Sequence, residues 1–180
     1  RKVGEASRRC EEAFRSADRY VDALFEKHSR LLVGRVDLGF DKQLLKTLNI
    51  KRVDAFFKSF KNRLRSTSLG RKVIGYIWCL ECTRNHGYHY HTLLFFDGSK
   101  HQKHQHLVQE VGNQWIRSVA RDLDIAAEKQ SSDVVGGKAI FYNCNLAHYQ
   151  FPFLGQINHD DIELRGRMSV NIAYICKAEQ

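Results

Sequence analysis

His89 and His91 stand two residues apart around Tyr90, inside an alternating apolar run at residues 88–96, and they are where the chain first offers chemistry. Successive side chains on a β-strand point to opposite faces, so both imidazoles project the same way, about 6.5 Å apart along the strand. That spacing makes a two-point clamp for one metal ion. Far downstream, Tyr174 and Lys177 lie three residues apart in a segment of helical pattern and share a helix face. A tyrosine, with an ordinary pKa of about 10, is a weak nucleophile until a metal, a base or a cation favours its phenolate. Lys177 would supply that cation, or neutralise charge on a scissile phosphate. A metal clamp with a Tyr/Lys pair points to phosphoryl transfer onto tyrosine.

Two imidazoles alone hold a catalytic divalent ion poorly, so a third ligand is expected nearby on the sheet. Residues 73–82 are rich in aromatic and β-branched types, and Arg84-Asn85-His86-Gly87 is a turn signal, which puts the histidines on the return strand of a hairpin. An odd turn centred on Asn85 sets Glu81 beside His89 and residue 79 beside His91, whereas an even turn presents Cys82 and Leu80. The first register makes a hard His/His/Glu site for Mg²⁺ or Mn²⁺; the second makes a softer site that recruits Cys82 for zinc. Glu81 is favoured, because Cys79 and Cys82 point to opposite faces of a strand and cannot chelate together. Asp37, on a separate strand, is a weaker third candidate. His86 is expected to cap the turn or meet solvent. His101, His104 and His106 are expected to form the solvated start of a helix.

Several elements must carry these residues. Phe14, Ala17, Val21, Leu24 and Phe25 recur at helical spacing within residues 8–28, after a cap at Ser7. Residues 31–40 read as a strand with Arg35 and Asp37 at alternate positions. Val53, Phe56, Phe57, Phe60 and Leu64 mark a second helix with a basic outer surface, and Leu107, Val111, Trp115 and Val119 a third. Residues 131–137 read as a loop containing Gly136-Gly137, residues 138–145 as a further strand, and a last helix covers about 164–180. Strands mixed with helices around a hairpin imply an α+β fold in which a central antiparallel sheet, carrying the His-x-His strand, is covered by helices.

At 180 residues, without repeats or a linker, the chain is expected to be a single domain. It begins at Arg1 and stops at Gln180 within a helical pattern, so a fragment of a longer protein is expected. Twenty-nine Lys and Arg against twenty Asp and Glu leave a net charge of +9, which favours nucleic acid over a membrane surface as partner and disfavours a small-molecule substrate. No apolar run approaches the roughly 18 residues of a membrane span, and no signal pattern opens the chain. Five irregularly spaced cysteines argue against a secreted disulfide framework. A soluble protein of a reducing cytoplasm is expected.

Taken together, the strand at residues 31–38 with its Arg35-Val36-Asp37-Leu38, then Glu81 ahead of His89-Tyr90-His91, then Tyr174-x-x-Lys177, resemble the HUH superfamily of single-strand DNA endonucleases. Within it the pattern is most similar to rolling-circle replication initiators of filamentous phages and prophage elements. The resemblance covers about residues 30–180, with residues 1–29 a helical addition. It implies a ferredoxin- or RRM-like core, a metal (Mg²⁺ or Mn²⁺) on His89, His91 and Glu81, and Tyr174 as nucleophile assisted by Lys177. The substrate would be single-stranded origin DNA, which a hairpin could present. The products would be a 5′-phosphotyrosine link and a free 3′-hydroxyl in the cytoplasm of a bacterial host, where host replication proteins could join. Two-tyrosine initiators carry another tyrosine four residues before the first; here that residue is Val170, so the chain resembles the single-tyrosine enzymes.

Lys51, Lys58, Lys61 and Arg65 of the second helix, Arg71 and Lys72, and Lys100 and Lys103 are the candidate phosphate contacts. Phe56, Phe57 and Phe60 read as core packing, and Tyr142, Tyr149 and Phe151 as rings that could stack on bases. Two other readings stay open. One is a non-catalytic DNA-binding module with structural zinc on His89, His91 and Cys82. The other is an HUH relaxase or transposase.

Overall fold

A strand that is apolar on both faces must be covered on both, and the run containing Arg35 and Asp37 forms the middle of the sheet. The computed structural model describes residues 2–128, 137–146 and 152–177, the side chains of residues 2–7, 128 and 177 excepted. In it β1 (Arg30–Phe40) pairs along one edge with β3 (Gly87–Asp97), and β3 pairs with β2 (Val73–Thr83). The other edge of β1 is shared by two short strands: β5 (Gly155–Asn158) lies against residues 30–33 and β4 (Ala139–Asn143) against residues 36–40. Every pairing is antiparallel, in the order β2-β3-β1-β4 with β5 beside β1. The chain therefore has the expected α+β architecture.

Strand alternation sorts the core into two halves. Even-numbered residues of β1 and β3, among them Val36, Tyr90 and Leu94, face α3 (Ile50–Arg65) and α4 (His104–Glu128), where Phe56, Phe60 and Trp115 are buried. Odd-numbered residues such as Val33, Leu93 and Phe95 face α1 (Lys2–Lys27) and α5 (Ile162–Lys177), which contribute Leu24, Phe25, Ile172 and Ile175. Phe56, Phe57 and Phe60 are thus core packing, as expected. Two elements went unforeseen: α2 (Lys42–Leu45), capped by Asp41, and β5, each four residues and too short to display a period. No helix of the described residues is long and apolar enough to cross a membrane.

Between β4 and β5 the edge of β1 at Arg35 has no strand partner among the described residues, and a side chain takes its place. Asn145, fully buried, donates from Nδ2 to the Arg35 carbonyl (2.8 Å) and accepts from the Arg35 N–H at Oδ1 (3.3 Å). A carboxamide has the same donor and acceptor as a peptide group, so the ladder's hydrogen bonds are met without a strand.

Tyr90, between the two histidines, turns its ring to the opposite layer. It stacks on Phe57 with centroids 3.9 Å apart and planes 11° from parallel, and its hydroxyl donates to Asp54 Oδ1 (3.0 Å). Burial, then the nearby Asp54, keep this phenol protonated. Phe57→Ala is expected to destabilise the fold by about 3–5 kcal/mol, measured by urea unfolding. A loss under about 1 kcal/mol would show that this stack does not hold β3.

Candidate metal centre

Which side chains meet across the hairpin depends on the number of residues in its turn. Thr83 pairs with Gly87, whose φ of 66° is left-handed, and the Thr83 hydroxyl accepts from the His86 N–H (3.1 Å). The turn is therefore odd and centred on Asn85. Glu81 pairs with His89 and Cys79 with His91, while exposed Cys82 pairs with Tyr88 on the other face. Register thus brings in the carboxylate and leaves the thiol out.

Glu81 Oε2 lies 2.7 Å from His89 Nε2 and 3.0 Å from His91 Nε2. Ligating atoms of all three residues fall within 4.8 Å of one another. The far side of each ring is held. His89 Nδ1 donates to the Gly87 carbonyl (3.1 Å), and His91 Nδ1 donates to Asp37 Oδ1 (2.9 Å). A carbonyl and a carboxylate only accept, so in the neutral imidazoles the proton belongs on Nδ1 and the Nε2 lone pair faces Glu81. Two nitrogens and one carboxylate oxygen, with ring orientation already set, fit a divalent ion. Asp37 is accordingly not a third ligand; it supports His91 from behind.

Asp37 is itself held by Arg35, a buried guanidinium whose Nε lies 3.2 Å from Oδ1 and whose Nη2 lies 3.5 Å from Oδ2. Nη2 is also 3.1 Å from His91 Nδ1. Both of these nitrogens carry hydrogens, so Arg35 and His91 act as two donors converging on one carboxylate. The remaining arm, Arg35 Nη1, donates to Asn171 Oδ1 on α5 (3.3 Å). Asn171 stands three residues before Tyr174 and so shares its helix face. Contacts therefore run from His91 through Asp37 and Arg35 to the helix that carries Tyr174. That tyrosine is 60% exposed, while its neighbours Ile172 and Ile175 are buried against the sheet. Lys177 ends the helix, and its side chain lies outside the described residues.

Burial alone raises the Asp37 carboxyl, but the His91 hydrogen bond and the charges of Arg35 and His91 outweigh it and hold it below its ordinary 3.8. Glu81 likewise lies below 4.5, burial being overcome by His91 and His89. Burial pulls His91 down, yet the Asp37 hydrogen bond and charge, with Glu81, lift it above 6.5. Without metal, the two carboxylates that flank His91 favour its protonated ring.

Tyr142 falls on the same row of the sheet as Cys79, His91 and Asp37, and is exposed. Tyr149 and Phe151 lie outside the described residues. The candidate DNA contacts are dispersed. Lys51, Lys58, Lys61 and Arg65 sit on α3, across the sheet from the histidines. Arg71 and Lys72 precede β2, and Lys72, Lys100 and Lys103 line a cleft near the far end of β3. Arg35 and Asn171 had no role from sequence alone, although two charges at alternate positions of an apolar strand signal a buried pair in need of partners.

Metal must displace the His91 proton, so Mn²⁺ affinity is expected to fall about tenfold per pH unit below a midpoint higher than 6.5, by calorimetry. Asp37→Asn keeps an acceptor but removes the negative charge that helps raise His91, so it should move that midpoint to lower pH and weaken binding about 10- to 100-fold at high pH. In the metal-free protein the linkage has two limbs. The His91 contribution to stability is full below pH 6.5 and is lost as pH rises through its raised value. The carboxylate contributions are full above 4.5 and are lost as pH falls through their lowered values. An affinity independent of pH from 6 to 8 would contradict the protonated His91 ring.

No curated protein and no solved structure matches the chain. A family model described as the YagK/YfjJ C-terminal domain matches residues 4–135, well over half of the chain, taking in Glu81, His89 and His91 and ending before Tyr174. The family is prophage-associated, in keeping with a phage-type protein. By this match the chain belongs to the YagK/YfjJ C-terminal domain family.

Proposed function

We propose that the protein is a single-tyrosine endonuclease of the HUH type, which nicks and rejoins single-stranded origin DNA to start rolling-circle replication in a bacterial cytoplasm. One observation carries this reading: the contacts from His91 through Asp37 and Arg35 to Asn171 tie the Glu81/His89/His91 group to the helix face of Tyr174. The net charge of +9 supports an anionic polymer as substrate. Exposure of Tyr174 suits a nucleophile that must reach a strand arriving from solvent.

In the reaction, Tyr174 Oη loses its proton to solvent and forms a bond to phosphorus. The bond from phosphorus to the 3′ oxygen breaks, its electron pair stays on that oxygen, and a proton from solvent completes the free 3′-hydroxyl. A phosphodiester is exchanged for a phosphotyrosine diester, so the reverse attack by a 3′-hydroxyl rejoins the strand without ATP. Glu81, His89 and His91 would hold a divalent ion, Mg²⁺ or Mn²⁺, which when bound supplies positive charge beside the scissile phosphate. Lys177, one turn beyond Tyr174, is assigned to stabilise the phenolate or the phosphate charge.

Incubated with Mn²⁺ and labelled single-stranded origin DNA, the protein is expected to form a covalent adduct that survives denaturing electrophoresis. Tyr174→Phe should abolish it, and His89→Ala or Glu81→Ala should lower its rate at least about 100-fold. An undiminished adduct in Tyr174→Phe would remove Tyr174 from this role.

A further inference from the structure

At the β2 edge, mainly on the α3 side of the sheet, residues of α3, β2 and β3 together with Tyr20 of α1 line a cleft of about 170 Å³. Its walls are apolar, with Phe60, Leu64 and Leu94 among them, and the half-exposed rings of Tyr20 and Tyr76 also line it. One lining group does not fit an apolar hole. Thr92 is 4% exposed, and its Oγ1 is buried with no hydrogen-bond partner among the described residues. Buried hydroxyls are nearly always bonded, and this one offers both a donor and acceptors.

Two cations line the same cleft. Lys61 holds its ammonium 4.8 Å from the Phe57 ring centre and 4.7 Å from that of Trp78, and Arg65 donates to the Tyr76 hydroxyl (3.0 Å). The cleft adjoins the register shift between Val73 and Gly75, a bulge that interrupts pairing at the sheet edge. A mostly apolar hole with an unpartnered hydroxyl in its lining and cations beside it suits a nucleotide: a ring to bury, an edge to hydrogen-bond, a phosphate to neutralise. The volume favours a small base, since a cavity of about 150 Å³ takes up a single six-membered ring.

We infer that this cleft binds one pyrimidine base of the DNA strand, with Thr92 Oγ1 bonding the base edge and Lys61 and Arg65 meeting the adjoining phosphate. The inference rests on the single-stranded DNA reading of the protein. The cleft opens at the β2 edge, mainly on the α3 face, and the metal centre lies on the other face, so the bound strand passes over that edge and the pyrimidine lies outside the nick itself.

The test compares oligothymidine, oligoadenine and an abasic strand of equal length by fluorescence anisotropy, and follows the Thr92 methyl resonance as dTMP is added. The wild-type chain should bind oligothymidine about tenfold or more tightly than the abasic strand, and more tightly than oligoadenine. Thr92→Val keeps the shape and removes the hydroxyl. It should weaken oligothymidine binding roughly threefold to tenfold, leave abasic binding unchanged, and not lower the melting temperature. Lys61→Ala should weaken all three strands alike. If the strands bind but Thr92→Val keeps the full preference for thymidine, the pocket is overturned while DNA binding stands. If no strand binds yet dTMP shifts the Thr92 methyl, the pocket holds and the DNA-strand reading fails. No response to either probe overturns both.

Discussion

The alignment of β3 between β1 and β2 governs everything else in this molecule. In that alignment His91 has Asp37 on one side and Cys79 on the other, and His89 has Glu81. A slip of one residue would send both imidazoles to the α3 face and bring Tyr90 to the metal face, because side chains alternate. Two features guard against it from opposite directions. The three-residue turn closed by Gly87 sets the β2 register locally. The Tyr90 ring, seated flat on Phe57 with its hydroxyl on Asp54, would have to leave an apolar layer that no imidazole fills comparably. The residue between the histidines contributes nothing to ligation, yet its bulk decides where they point.

A second constraint follows from placing charge inside the central strand. Arg35 and Asp37 occupy one face of β1 where its neighbours Val33 and Leu93 are apolar, and isolated charges there would be strongly unfavourable. Each is satisfied by the other, and the arms left over are the ones that extend the site: Asp37 reaches His91, and Arg35 reaches Asn171. A lysine could not do this, since one ammonium has no rigid fork to span a carboxylate and a carboxamide together. The desolvation cost of a buried pair is thereby offset by contacts that orient a histidine and anchor α5. Asn145 completes the arrangement by holding the Arg35 backbone where the strand ladder lapses.

Much of this geometry is legible in the chain itself, and the parts that are not share a physical cause. The alternation of residues 88–96 and the turn signal around Asn85 are local, so the hairpin follows from counting along a strand, while the turn allows an odd or an even register and the fold has the odd one, which the Glu81/His89/His91 reading favours. Asp37 is 54 residues from His91, and no turn sets the register between β1 and β3; sequence reads it as a rival ligand where the fold makes it a support. Asn171 and Asn145 act on Arg35 across 136 and 110 residues, distances at which only tertiary packing decides contact. The basic surface of α3 is readable as a pattern, but a helix's pattern does not tell which side of the sheet it covers. That is why those lysines turn out to lie across the sheet from the histidines.

The separation of cations from ligands has a consequence for the β2 edge, the outermost strand beside β3. An exposed edge invites pairing with another strand, and proteins blunt it with lysines and bulges. This edge has both: the shift between Val73 and Gly75, and Lys61 held over the exposed Trp78 ring. A polypeptide strand is repelled by an interrupted ladder, whereas a polyanion needs no ladder and is attracted by the charge. The same features that guard the sheet against self-association are compatible with the proposed nucleic-acid partner, and Lys61 acts from the α3 face, opposite the one that carries Glu81 and His89.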